Sequence, residues 1–179
     1  MAECIREGMA MNKSRVIGMA LAIGCFSGSA SAGEAKVVWQ DTDSYTDIRS
    51  GNQSIKSMRS GIEKSIGGEF SELAGQLPAG YVLDVTVTDL DLAGEVDPIP
   101  TRSVDQVRVL KDIYFPRMTF DYRLTGSDGA VLLAEQKVEL KDMQYLSNMR
   151  VTRTSEAFYS ERRMVRDWFS KQLLPQVKR

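Results

Sequence analysis

The sequence predicts an α+β fold. The expected form is a two-layer sandwich, a four- or five-stranded mixed and mostly antiparallel sheet with two amphipathic helices on one face. Three observations predict it. Residues 83–88 alternate Leu83, Val85 and Val87 with Asp84, Thr86 and Thr88, the period of a strand with one buried face. Residues 54–77 space Ile55, Met58, Ile62, Ile66, Phe70, Leu73 and Leu77 three or four apart, the period of a helix. Near the end, Phe158, Val165, Trp168 and Phe169 can share a second helical stripe, with Glu161 and Arg162 in the intervening turn. Two apolar stripes and an apolar strand face must cover one another, and helices layered on a sheet do so most simply.

The elements follow in the order β-α-β-β-β-α. Residues 35–40 form a short strand around Val37, Val38 and Trp39, and a turn region around Tyr45 and Ile48 leads to the break at Ser50, Gly51 and Asn52. The helix over 54–77 contains Gly67 and Gly68, which predict either a kink or a close approach to the sheet. Pro78 and Gly80 end it, and the central strand starts at Tyr81. Gly94, Pro98 and Pro100 make 93–106 a loop. Across 107–124 the apolar phase changes. Val107, Val109, Ile113 and Phe115 are odd, whereas Met118, Phe120, Tyr122 and Leu124 are even, so a bulge or break belongs at Pro116. Residues 125–129 read as a hairpin turn. The return strand over 130–140 would turn Leu132, Ala134, Val138 and Leu140 inward. Residues 142–154 read as irregular, and the closing helix over 155–174 stops at Pro175.

The first 32 residues read as a signal peptide. Met11 to Arg15 form a basic start, 16–26 an apolar run too short to span a bilayer, and Ala30-Ser31-Ala32 a small-residue cleavage pattern. Met1, Met9 and Met11 are alternative starts. Cleavage after Ala32 leaves a single domain, 33–179, for the periplasm, with no transmembrane segment. A lipoprotein anchored through Cys25 is the alternative, although Ala22 stands where such a box carries an aliphatic residue.

Both cysteines, Cys4 and Cys25, fall in this leader, and the chain contains no histidine. The mature domain therefore lacks the residues for His/Cys zinc sites, the Ser-His-Asp triad and a Cys-His nucleophile. It has no Ser-x-x-Lys either. No cofactor is expected. Without the leader the net charge is about −2, which predicts no general affinity for nucleic acid or acidic membranes.

Several segments together resemble a known family. They are Val38-Trp39, Tyr45-Thr46-Asp47-Ile48, the run from Asp89 to Glu95, Arg108-Val109, Pro116-Arg117-Met118, and Arg163-Met164 with Asp167-Trp168-Phe169. They are similar to the bacterial exported proteins grouped as domain-of-unknown-function family 3016. The resemblance covers nearly all of the mature chain. It implies an envelope protein with a signal peptide, and it supplies no catalytic or binding residue.

The candidate sites are therefore read from residue chemistry. Asp89, Asp91 and Glu95, with Asp97, offer carboxylate oxygens of the kind Ca²⁺ prefers. The calcium-loop match fails at Ala93 and Pro100, so these acids read first as a strand end that caps loop backbone or pairs with arginines. A hydrolytic carboxylate pair lacks any sign of the apolar pocket that separates two pKa values. The last 32 residues hold eight basic side chains against three acidic ones. Arg150, Arg153, Arg162, Arg163 and Arg166 form a candidate face for an envelope protein or an anionic envelope component. The competing reading folds them against the acidic stretch or leaves them as a solvated helix face. The expected function is a non-catalytic binding or structural module of the cell envelope, with calcium binding or hydrolysis at 89–97 as the alternative.

Overall fold

The computed structural model describes residues 32–49, 54–96, 108–152 and 156–178. The predicted signal peptide up to Ser31, most of the 93–106 loop and Arg153 lie outside these residues.

The chain is α+β. Its main sheet has four strands in the order β1-β2-β5-β6: β1 Glu34–Trp39, β2 Val82–Asp91, β5 Arg117–Thr125 and β6 Val131–Lys141. β1 runs parallel to β2, and the other neighbours are antiparallel. Two short strands, β3 Glu95–Val96 and β4 Arg108–Val109, form a separate ribbon. The expected third strand is thus divided at the phase change. Arg108 and Val109 leave the main sheet, and pairing with β2 begins only at Arg117, beyond Pro116.

Two bulges decide which side chains face the core. In β2 the register shifts between Val87 and Asp89. Before the shift Leu83, Val85 and Val87 are buried, and after it Leu90 is buried while Asp89 and Asp91 are only half-buried. In β6 the backbone at Lys137 is left-handed (φ 56°), and its N–H donates to Asp121 Oδ1 at 2.7 Å. Val138 and Leu140 are buried as predicted, whereas Leu132 and Ala134 are exposed and Leu133 packs on the core instead. One extra residue flips every side chain on one side of it.

The first helix is one rod in three parts, α1 Ile55–Ile62, a π-turn over Glu63–Gly67 and α2 Gly68–Ala74. Ser54 caps it by accepting from Ser57 N at 3.2 Å. The apolar steps of four between Met58 and Phe70 outrun a 3.6-residue turn, and the extra residue of a π-turn lets the stripe stay aligned. Gly67 and Gly68 sit at this π-turn. Neither meets a close backbone neighbour, which removes close approach as their explanation. Ile55, at the start of the stripe, is 55% exposed.

The C-terminal region departs further from expectation. Residues 145–152, read as irregular, form α3 Tyr145–Thr152. Tyr145 is fully buried and donates to Lys111 O at 2.8 Å, so tertiary anchoring overrides a polar local sequence. Then come α4 Tyr159–Trp168, a π-turn over Phe169–Leu173 and α5 Leu174–Val177. Pro175 does not end the helix. It falls in the first turn of α5, where its missing N–H costs little.

Both helical rods meet the sheet through aromatic rings. Trp168 stacks edge-on against Phe120 at 4.9 Å, Tyr122 at 5.1 Å and Phe70 at 6.3 Å between centroids. Between the rods, Glu69 is buried and accepts from Arg162 Nε at 2.9 Å and from both Nε and Nη2 of Arg166 at 2.9 and 2.8 Å. Truncating Trp168 to alanine opens a cavity that touches α2, α4 and β5 at once. The expected loss is about 3–5 kcal/mol in denaturant unfolding. A loss below about 1 kcal/mol would show that the ring is not the centre of the core.

Candidate functional site

The acidic end of β2 is held in place by its own carboxylates. Asp89 Oδ1 accepts from Thr46 N at 2.8 Å and Leu90 N at 2.9 Å, and its Oδ2 accepts from Thr46 Oγ1 at 2.8 Å. Asp89 therefore fastens the 41–49 segment to β2. Tyr45 joins in by donating its hydroxyl to Val87 O at 2.9 Å. Its burial, with Asp89 nearby, pushes that hydroxyl's pKa up to about 12.

Beside it, Asp47 and Asp91 form a parallel bridge, with Leu92 N donating to Asp47 O at 3.0 Å. The Asp47 side chain accepts from Arg49 N, Arg49 Nε and Arg108 Nη2 at 3.0, 3.3 and 3.1 Å. Arg108 reaches further. Its Nη1 donates to Gly94 O at 2.6 Å and lies within 3.2 and 3.4 Å of Leu92 O and Ala93 O, and Nη2 donates to Arg49 O at 2.6 Å. Arg108 Nε is buried with no hydrogen-bond partner among the described residues. Gly94 has φ 80°, and a Cβ there would stand 2.6 Å from Val109 O. Only glycine fits this turn.

Glu161 approaches from α4. It is buried, and Oε1 accepts from Ala93 N at 2.8 Å. Burial raises its pKa, opposed by the backbone N–H groups of Ala93 and Glu161 and by Arg108, and reinforced by Asp91. The pKa of Asp91 is raised too, first by burial and then by Asp47 and Asp89, against Arg117 and Arg108.

A groove of about 570 Å³ opens over this cluster. Met58, Leu92, Leu110, Met149 and Phe158 supply apolar walls, with Arg108 and Glu161 also lining it. Phe158 holds a left-handed backbone (φ 56°, ψ 27°) at the start of α4, a rare conformation for an aromatic residue.

The predicted site residues divide as follows. Asp89 and Asp91 lie side by side on β2, and Glu95 begins β3. Among the described residues, no group of three or more His, Cys, Asp or Glu side chains is placed to hold a metal ion. Arg162 and Arg166 turn to Glu69 rather than to the acidic stretch. Arg163 lines a separate polar groove of about 400 Å³ with Lys141 and Asp167. Arg150 is placed in α3, and Arg153 lies outside the described residues. Asp47, Arg108 and Glu161 were not singled out as site residues. A signal for Glu161 existed, because it stands four before Val165 and seven before Trp168 on the buried stripe.

Comparison with known proteins now adds one finding. A family model described as a protein of unknown function, DUF3016, matches residues 33–171. The chain belongs to this family. No curated protein and no solved structure matches it. In this DUF3016 protein, three segments of the resemblance converge on one cluster, at Asp47, at 92–94 and at Arg108.

Two outcomes are expected. Asp89→Ala frees 41–49 from β2 and costs about 1–3 kcal/mol, equally in chelator and in millimolar Ca²⁺. A calcium-dependent rise in the wild-type melt that this variant loses would instead make Asp89 a metal ligand. Glu161→Gln keeps an acceptor for Ala93 N but removes the charge. A carboxyl whose folded pKa is raised contributes stability below its unfolded pKa and loses it as pH rises through the folded value. The wild type should therefore lose ground to Glu161→Gln as pH rises above the ordinary carboxyl range. Parallel curves in denaturant unfolding would contradict this.

Proposed function

We propose that this DUF3016 protein is an exported module of the cell envelope that binds a partner through the groove beside α4 and catalyses no reaction. The reading rests on how the carboxylates are used. Asp89, Asp47 and Glu161 act as acceptors for backbone or for arginine, beside an apolar groove of about 570 Å³. Export is supported by the charged start, apolar run and Ala30-Ser31-Ala32 pattern, with cleavage after Ala32. Among the described residues, no helix is long and apolar enough to cross a membrane.

The groove favours an acyl chain of an anionic envelope amphiphile over a peptide. An acyl chain brings no polar backbone to satisfy, and Glu161 Oε1 and both Arg108 Nη groups beneath the walls are already engaged. An envelope protein is the competing partner.

Fractionation of cells expressing the tagged full chain tests export, with recovery in the periplasmic fraction as the expected result. Binding is tested with a fluorescent single-chain acyl probe. Saturable binding is expected, with at least a tenfold loss in Leu110→Glu at an unchanged melting temperature. Absence of probe binding, or equal binding by the variant, would remove the acyl reading.

A further inference from the structure

We propose that Gly33 is the N-terminal residue of the mature protein, and that the α-ammonium created by leader removal docks on the carboxyl end of the first helical rod. The inference rests on the export reading and the cut after Ala32 given above, and adds what the new terminus does.

The rod ends in an α-helical bond, Gly75 N to Ser71 O, and unwinds through two tighter ones, Gln76 N to Leu73 O and Leu77 N to Ala74 O. A helix end leaves carbonyls without intrahelical donors and carries the negative end of the macrodipole. The chain enters β1 against this end. Gly33 N donates to Leu77 O at 3.3 Å, and Glu34 N donates to Tyr81 O at 2.9 Å. A Cβ on Gly33 would stand 2.6 Å from Ala74 O and 2.8 Å from Leu77 Cβ, so the position admits only glycine without movement of backbone. Ala32, one residue earlier, is exposed. The family match also begins at residue 33.

Two separate demands therefore meet at one bond. The cutting enzyme requires small residues before it, supplied by Ala30 and Ala32. The fold requires glycine after it. Hydrolysis adds water across the Ala32–Gly33 amide, leaving a carboxylate on the leader and an ammonium on Gly33. Where Gly33 in the uncut chain offers one amide N–H, in the cut chain it offers three N–H donors and a full positive charge, the favourable sign for a helix carboxyl end.

The first test is intact mass and N-terminal sequencing of the protein recovered from the periplasmic fraction, with Gly33 as the expected first residue. A second compares melting of this protein with a processed variant carrying one added glycine between Ala32 and Gly33. That insertion moves the ammonium away and leaves Gly33 its amide N–H. The variant should melt roughly 2–4 °C lower. Gly33→Ala, processed at the same bond, should melt lower still through collision with Ala74 O. Equal melting of the natural and glycine-extended proteins would overturn the docked ammonium. A start at any other residue, including a lipidated Cys25, would overturn the inference and leave export standing. An uncut chain confined to the cytoplasm would remove both readings.

Discussion

One guanidinium holds the acidic turn together. The chain leaves β2 through three consecutive carbonyls, Leu92, Ala93 and Gly94, that have no strand to pair with, and Arg108 gathers all three while also reaching Arg49 O and Asp47. A carbonyl left unpaired in a buried turn costs about as much as a lost hydrogen bond, so the turn needs a donor with several N–H groups in a fixed fork. Lysine, with one flexible ammonium, cannot span these acceptors. The placement of the 41–49 segment, the β3–β4 ribbon and the floor of the groove all follow from where this side chain sits.

The same arrangement explains how carboxylates can cluster here. Asp89 and Asp47 each receive several donors, and Glu161 receives Ala93 N. Burial raises the pKa of Glu161 and Asp91, yet both adjoin Arg108, which opposes that rise. The outcome is a polar frame under an apolar surface. The buried Glu69 between Arg162 and Arg166 repeats the pattern between the two helical rods, and it engages two of the five predicted arginines at its carboxylate.

Much of the layering was legible because periodicity is local. The 3–4 spacing from Met58 to Leu77 and the alternation from Leu83 to Val87 are set by which face is buried, and a sequence displays that directly. The phase change at Pro116 likewise announced a break. What the sequence concealed depends on partners distant in the chain. α3 exists through Tyr145 reaching Lys111. The bulge in β6 depends on Asp121 across the sheet, which is why Leu132 and Ala134 were placed on the wrong face. Asp89 and Asp91 were visible as acids, but the Thr46 donors to Asp89 and the neighbouring Asp47–Arg108 pair come from elsewhere in the chain. Family membership added no role for any of them, since the family has no assigned function.

The kink at Lys137 also bears on how molecules of this protein meet one another. β6 is the longest strand and lies at the margin of the sheet, with Val131 and Leu132 open to water at its start. A straight margin of that length would invite a neighbouring chain to add a strand and begin a fibre. Here the left-handed residue turns one N–H inward to Asp121, places a lysine at mid-strand and leaves no unbroken row of donors and acceptors for a stranger to read. The feature that misaligns the apolar pattern of β6 is thus also a guard against aggregation.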